Sequence, residues 1–108
     1  MVEHTLQLDL VFNSLADPTR RDILQRVLKT ELSISEIAEK YTMSFAAVSK
    51  HLQRLERANL IRRRRHGKHY YVQARPDMLQ TADEYLEQYR QIWQGRYDKL
   101  EQLVHEKE

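Results

Sequence analysis

Basic side chains crowd one quarter of this chain. Residues 50 to 75 carry nine lysines and arginines against one acid, Glu56, a local charge of nine minus one, or +8. All 108 residues sum to +2, so the remainder is at −6. A cationic segment inside an otherwise acidic protein suits a polyanion, because a uniformly basic protein would have no reason to concentrate it. A solvated charged face is the alternative, and position within the fold has to decide between them. The same region holds His51, His66 and His69, the side chains best suited to proton transfer. They come without a paired carboxylate motif, so no acid, base and nucleophile converge and an enzyme is not expected. The chain has no cysteine. That excludes disulfide frameworks, thiolate metal sites and zinc fingers, and it fits a reducing, cytoplasmic setting.

With 41% hydrophobic and 31% charged residues and only two glycines and two prolines, the composition is that of a folded, helix-rich protein. Its length suits one domain, residues 1–108, in which a marginal core would gain from a partner surface. The start, Met1-Val2-Glu3-His4, lacks a basic segment before an apolar stretch, and no run approaches the ~20 apolar residues of a membrane span. Neither export nor membrane insertion is expected.

Leu8, Val11, Phe12 and Leu15 recur at helical spacing and predict a first helix over about 5–15. Asp17-Pro18 supplies an N-cap and a first helical residue for a second helix, whose apolar stripe is Ile23, Leu24, Val27 and Leu28, ending near Thr30. Ser33 and Glu36 read as a capping box that opens a short third helix carrying Ile37 and Ala38. After a turn at Thr42-Met43, a fourth helix from about Ser44 to Ala58 ends at Asn59, which tolerates the left-handed position. Two helices joined so tightly make a helix-turn-helix. Around Val48 the wheel buries Leu52 and Leu55 and turns Ala46, Ser49, Lys50, Gln53 and Arg57 outward. Small residues let a helix sink into the major groove, and Ser, Lys and Gln can bond base edges or phosphates. The expected DNA-contacting residues of this helix are therefore Ser44, Phe45, Ala46, Ser49, Lys50, His51, Gln53 and Arg54.

Leu60 to Arg65 and His69 to Val72 flank His66-Gly67-Lys68, a strand–turn–strand pattern with glycine at the turn. Four consecutive arginines on a strand alternate between faces, so at least two should point outward towards phosphate. Arg63, Arg65, His66, Gly67 and Lys68 are the candidate contacts of this basic wing, while Tyr70 and Tyr71 are expected to pack the sheet against the helices. Pro76 opens a last helix over about 76–105, with Leu79, Ala82, Leu86, Tyr89, Trp93, Tyr97, Leu100 and Val104 spaced by threes and fours. A slip in that stripe near Gly95 predicts a bend there, since glycine costs roughly 1 kcal/mol against alanine in a helix. The first and last helices carry more apolar surface than the central helices can cover. Either the last helix folds back on its own domain or, more economically, a homodimer seam uses Leu8, Val11, Phe12, Leu79, Leu86, Tyr89, Trp93 and Leu100. The expected fold is mainly α with a small β-hairpin, a winged helix-turn-helix in the order α-α-α-α-β-β-α.

Four separated stretches carry a family resemblance: Leu15 to Arg21, Ile34 to Ala38, Ala47 to Leu52 with Leu55, and the arginine-rich hairpin ending at Tyr70-Tyr71. Over about residues 8 to 74 the chain resembles the ArsR-type winged-helix repressors. The resemblance implies a homodimer built from the first and last helices, holding operator DNA until a signal releases it. It places the fourth helix in the major groove and the hairpin in the adjacent minor groove. Two departures stand out. Where the family commonly shows glutamine or another polar residue, this chain has Phe45, at the edge of the inner face, where it either packs inward or touches a thymine methyl. The family's metal sites look for thiolates where this chain has Ser33 and Ser35, and for paired histidine and carboxylate ligands on a last helix that here holds only His105. Serine is a poor ligand for thiophilic metals. The resemblance is therefore to the non-metal branch, with no metal and no cofactor expected. An unidentified small-molecule inducer, a partner protein or no ligand remain as its signal. Double-stranded DNA is the expected partner; a winged helix that binds another protein is the rival reading, although so dense a basic run would be unusual in it.

Overall fold

The computed structural model describes the backbone of residues 2–106 and the side chains of residues 7–105. Met1 and residues 107–108, part of the expected domain, lie outside the described residues. The elements run α1 (Val2–Leu15), α2 (Pro18–Lys29), β1 (Leu32–Ser33), α3 (Ile34–Ala38), α4 (Phe45–Arg57), β2 (Ile61–His66), β3 (His69–Ala74) and α5 (Asp77–Glu106).

Side-chain caps set most of these boundaries. Asp17 accepts from the Arg20 backbone N–H at 3.0 Å, with Pro18 in the first turn of α2. Ser33 and Glu36 form the reciprocal box at α3, at 3.1 and 3.0 Å. Ser44 caps α4 by accepting from Ala47 at 3.1 Å, and Asn59, at φ 59°, turns the chain out of it. Each cap satisfies backbone N–H groups that the first helical turn leaves without partners.

The core is Val11 of α1, Ile23, Leu24 and Val27 of α2, Ile37 of α3, Val48, Leu52 and Leu55 of α4, and Ile61 and Val72 of the sheet, all buried. Leu28, expected in the buried stripe of α2, is exposed instead. It stands in the last turn of α2, beside the open groove lined by Arg62, Arg75 and Pro76, rather than over the core.

The sheet has three strands where two were expected. β3 is central, pairing antiparallel with β2 from Ile61↔Ala74 to His66↔His69, and with the two-residue β1 at Leu32↔Val72 and Ser33↔Tyr71. Gly67 and Lys68 form the two-residue turn, and Gly67 sits at φ +65°. Only the first loop residue has a positive φ, the pattern of a type II′ turn, which matches strand twist. Tyr70 does not pack the sheet against the helices as expected: it is 48% exposed on β3, beyond the edge of the core, with the Arg65 guanidinium 5.9 Å from its ring centre. Tyr71 is half-buried.

α5 is one unbroken helix of 30 residues, so the bend expected at Gly95 is absent. Nothing lies within 4 Å of the Cβ position of Gly95, and the Gln94 amide donates to Asp98 across it at 3.3 Å. Uninterrupted hydrogen bonding outweighs one glycine's propensity cost, and the slip in the stripe becomes a slow rotation around the helix. Only the start of α5 meets the body: Ala82 is buried, Met78 and Leu79 pack on the core, and Phe12 meets Tyr85 with ring centres 5.9 Å apart.

Candidate nucleic-acid interface

α4 is positioned from both ends of α2. At the C-terminal side, the Tyr41 hydroxyl donates to Asp22 at 2.6 Å and the Arg26 Nε donates to the same oxygen at 2.9 Å, tying the turn before α4 to α2. Burial, with that hydrogen bond, pushes the Tyr41 phenol up to about 12. At the N-terminal side, Arg20 closes the α1–α2 corner by donating to the carbonyls of Ser14 at 2.7 Å and Asn13 at 3.1 Å. Its remaining nitrogen lies 3.5 Å from His51 Nδ1, which is 3.8 Å from Asp17. Partial burial raises the Asp17 carboxyl, but the Arg20 backbone N–H and the charges of His51 and Arg20 outweigh it and hold it below its usual value. His51, expected among the DNA-contacting residues, is thus half-buried against the α1–α2 corner. Arg20 lies within a stretch that carried the resemblance, yet sequence reasoning gave it no role, because its partners are carbonyls and a side chain far along the chain.

The rest of the α4 set falls as the wheel requires. Val48, Leu52 and Leu55 face the core, while Ala46, Lys50, Gln53 and Arg54 are exposed with Ser44, and Ser49 is half-buried. Phe45 is 61% exposed, which removes the inward-packing alternative.

In the wing, the four arginines divide by strand alternation and by partner. Arg62 and Arg64 share the face away from the core, yet neither is left free there. Arg62 donates to Gln73 at 2.9 Å, and Arg64 donates twice to one Glu31 oxygen, at 3.1 and 2.9 Å. The Arg64 hydrogen bonds hold the Glu31 carboxyl below its usual value despite partial desolvation. Arg63 is on the core-facing side, half-buried beside Val72, with Nε 3.5 Å from Glu56 of α4. That is an ion-pair contact too poorly aligned for a hydrogen bond, so the Nε–H has no hydrogen-bond partner. Arg65 reaches only the Gly67 carbonyl, at 3.2 Å, and the Tyr70 ring. Among the described residues the wing cations without a carboxylate in ion-pair contact are therefore Arg62, on the face away from the core, and Arg65 and Lys68 towards the tip, with exposed His66 and His69 beside them. Glu31 and Glu56, which decide this division, were invisible to sequence reasoning because each pairs across elements.

An outward helix face that opens on Phe45 and Ala46 and is basic beyond, beside a two-stranded hairpin with a cationic tip, is a two-part surface for duplex DNA. Residues 17–63 match the family model described as bacterial regulatory protein, arsR family. The transcriptional repressor SdpR of Bacillus subtilis is 33% identical over 72 residues, which are 67% of this chain and 80% of that protein. This chain belongs to the ArsR family. An ArsR-like transcriptional regulator from Rhodococcus sp. RHA1 shares the fold with a TM-score of 0.74 and 27% identity, over 92% of this chain and 93% of that one. A homodimeric winged helix-turn-helix DNA-binding domain from Mycobacterium bovis matches at 0.62 and 30% identity, over 76% of this chain and 83% of it. This ArsR-family chain is a transcriptional regulator with a winged helix-turn-helix DNA-binding domain, in a family of regulators rather than enzymes.

The positions tied to metal in the family resemblance are occupied otherwise. Ser33 is buried, its hydroxyl serving the α3 cap, and Ser35 is exposed. His105 Nε2 lies 3.9 Å from Glu101 near the end of α5. Among the described residues no group of three or more His, Cys, Asp or Glu could hold a metal ion, and no helix is long and apolar enough to cross a membrane.

The expected dimer seam divides in two. Val11 is fully buried and Leu8 nearly so, both in the protomer's own core, so neither is available to a second chain, and Phe12 and Leu79 are partly covered within the protomer. Leu86, Tyr89, Trp93 and Leu100 are exposed on α5, joined by Ile92, Tyr97, Leu103 and Val104.

Proposed function

We propose that this chain is a repressor that binds an inverted-repeat operator as a homodimer in the cytoplasm. Residues 1–108 act as one domain, with α4 in the major groove and the wing tip at the adjacent minor groove. The carrying observation is the exposure of Lys50, Gln53 and Arg54 on α4 and of Arg65 and Lys68 on the wing, with the start of α4 meeting the wing across the hollow that Phe45, Lys68 and His69 line. Ser49, Lys50 and Gln53 discriminate base edges; Arg65 and Lys68 meet phosphates, with Arg63 held against Glu56 behind them. The homodimeric neighbour from Mycobacterium bovis and the naming of SdpR as a repressor support the assembly and the sign of regulation. Release of the DNA falls to an unidentified small-molecule inducer or a partner, since the metal positions of the family resemblance hold serines.

Selection of bound sequences from a random duplex pool tests this reading. The expected product is an inverted repeat whose half-sites lie about one helical turn, roughly 34 Å, or a multiple of it, apart. A pool that never enriches would overturn it in favour of a protein-binding winged helix.

A further inference from the structure

Phe45 is the first residue of the recognition helix, directly after the Ser44 cap, and it is 61% exposed. A lone exposed phenylalanine is ordinary on a protein surface; this one stands where the N-terminal residues of a recognition helix meet base edges. Its ring stacks on no other ring among the described residues. On one side are the small residues Ala46 and Ala47, which let a duplex approach closely. On the other is a hollow of about 170 Å³ between α3, α4 and the wing, which Phe45 lines together with Ile34, Ser35, Lys68, His69 and Tyr70. An apolar ring left 61% exposed at the start of the recognition helix, on the face that the operator-binding reading turns towards DNA, has one apolar feature of the major groove to meet: the C5 methyl of thymine.

We propose that Phe45 is a specificity-determining residue that selects thymine at one position of each half-site by covering its C5 methyl. This rests on the operator-binding reading above.

The test uses the full chain and the duplex recovered by selection, replacing each thymine in turn, symmetrically in both half-sites, by deoxyuridine, which removes the methyl and nothing else. Wild type should lose about fourfold in affinity per half-site at one position, the factor that corresponds to about 0.8 kcal/mol for one buried methyl group. Phe45→Ala should bind the thymine operator more weakly and be indifferent to deoxyuridine at that position. Phe45→Leu should keep part of the discrimination. Circular dichroism and melting of the variants would check that the exposed site leaves the fold intact, and the deoxyuridine series on wild type stands without them. An operator at which no thymine can be replaced with loss would overturn the proposal, as would Phe45→Ala retaining the wild-type discrimination. Either result leaves operator binding standing, whereas failure to enrich any sequence would overturn both.

Discussion

Arg63 and Lys68 are both basic, both on the wing, and should behave differently on mutation. Lys68 stands exposed at the turn with no ion-pair partner among the described residues, whereas Arg63 is half-buried against Glu56. Lys68→Ala should weaken an operator and a scrambled duplex alike and reduce the slope of log affinity against log salt by about one unit. Arg63→Ala should leave that slope unchanged and instead lower the melting temperature, since it strands the Glu56 carboxylate. Anisotropy titrations at several salt concentrations separate the two, and a Lys68 variant with an unchanged slope would show that the wing tip does not neutralise phosphate. Asp17 carries a second residue-level expectation. Its carboxyl is held below the usual 3.8 in the folded state, so its stabilisation is complete above that value and is lost as pH falls through the lower, folded value. Asp17→Ala should cost about 1 kcal/mol at neutral pH as a lost N-cap. In urea melts the gap between it and wild type should close as pH drops below 3.8, with Asp17→Asn retaining the cap but not the pH dependence.

Elements whose ends are fixed by neighbouring side chains were legible in the sequence. The Asp17-Pro18 start, the Ser33/Glu36 box and the Asn59 exit all act within three or four residues, and the structure has each of them; the fourth helix was placed to within a residue, without its Ser44 cap being read. What was not legible depends on distant partners. β1 is two residues that become a strand only because β3 passes beside them, and Ser33 serves it while also capping α3. The exposure of Leu28 and Tyr70 follows from where the core ends, and the straight course of α5 through Gly95 from hydrogen bonding on both sides. The same distinction applies to the interface. The outward face of α4 followed from periodicity alone, whereas the commitment of Arg63 and Arg64 to Glu56 and Glu31 required the fold. At the turn the local rule yields a prediction. Gly67 has φ +65° and open space where a Cβ would stand, so Gly67→Ala meets no clash and costs only the backbone strain of a positive φ, on the order of 1–3 kcal/mol. Gly67→Asn should recover part of it. Thermal melts of the two variants decide this; equal loss in both would mean that something other than φ is at stake.

The molecule is extended for its length. Its radius of gyration is 18.9 Å and its extents are 67 × 34 × 21 Å, whereas a compact domain of this length has a radius near 13 Å. The excess is α5, which presents Tyr89, Trp93, Tyr97 and Leu100 to solvent along its length. A second copy related by a two-fold axis, as in the homodimer proposed above, would cover both stripes at once. Sedimentation should therefore give twice the chain mass of 13.1 kDa, and the melting temperature should rise with protein concentration. The choice of variant matters for the test. Leu8→Asp would put a charge into the protomer's own core and unfold it, so loss of the dimer there would reveal nothing about the seam. Trp93→Asp with Leu100→Asp changes only exposed positions far from the core. That pair should give a folded monomer with unchanged signals from the helix-turn-helix, and affinity for a full operator reduced to that for a single half-site, because the two half-sites are then bound independently. A variant of this kind that still sediments as a dimer would move the seam away from the outer half of α5.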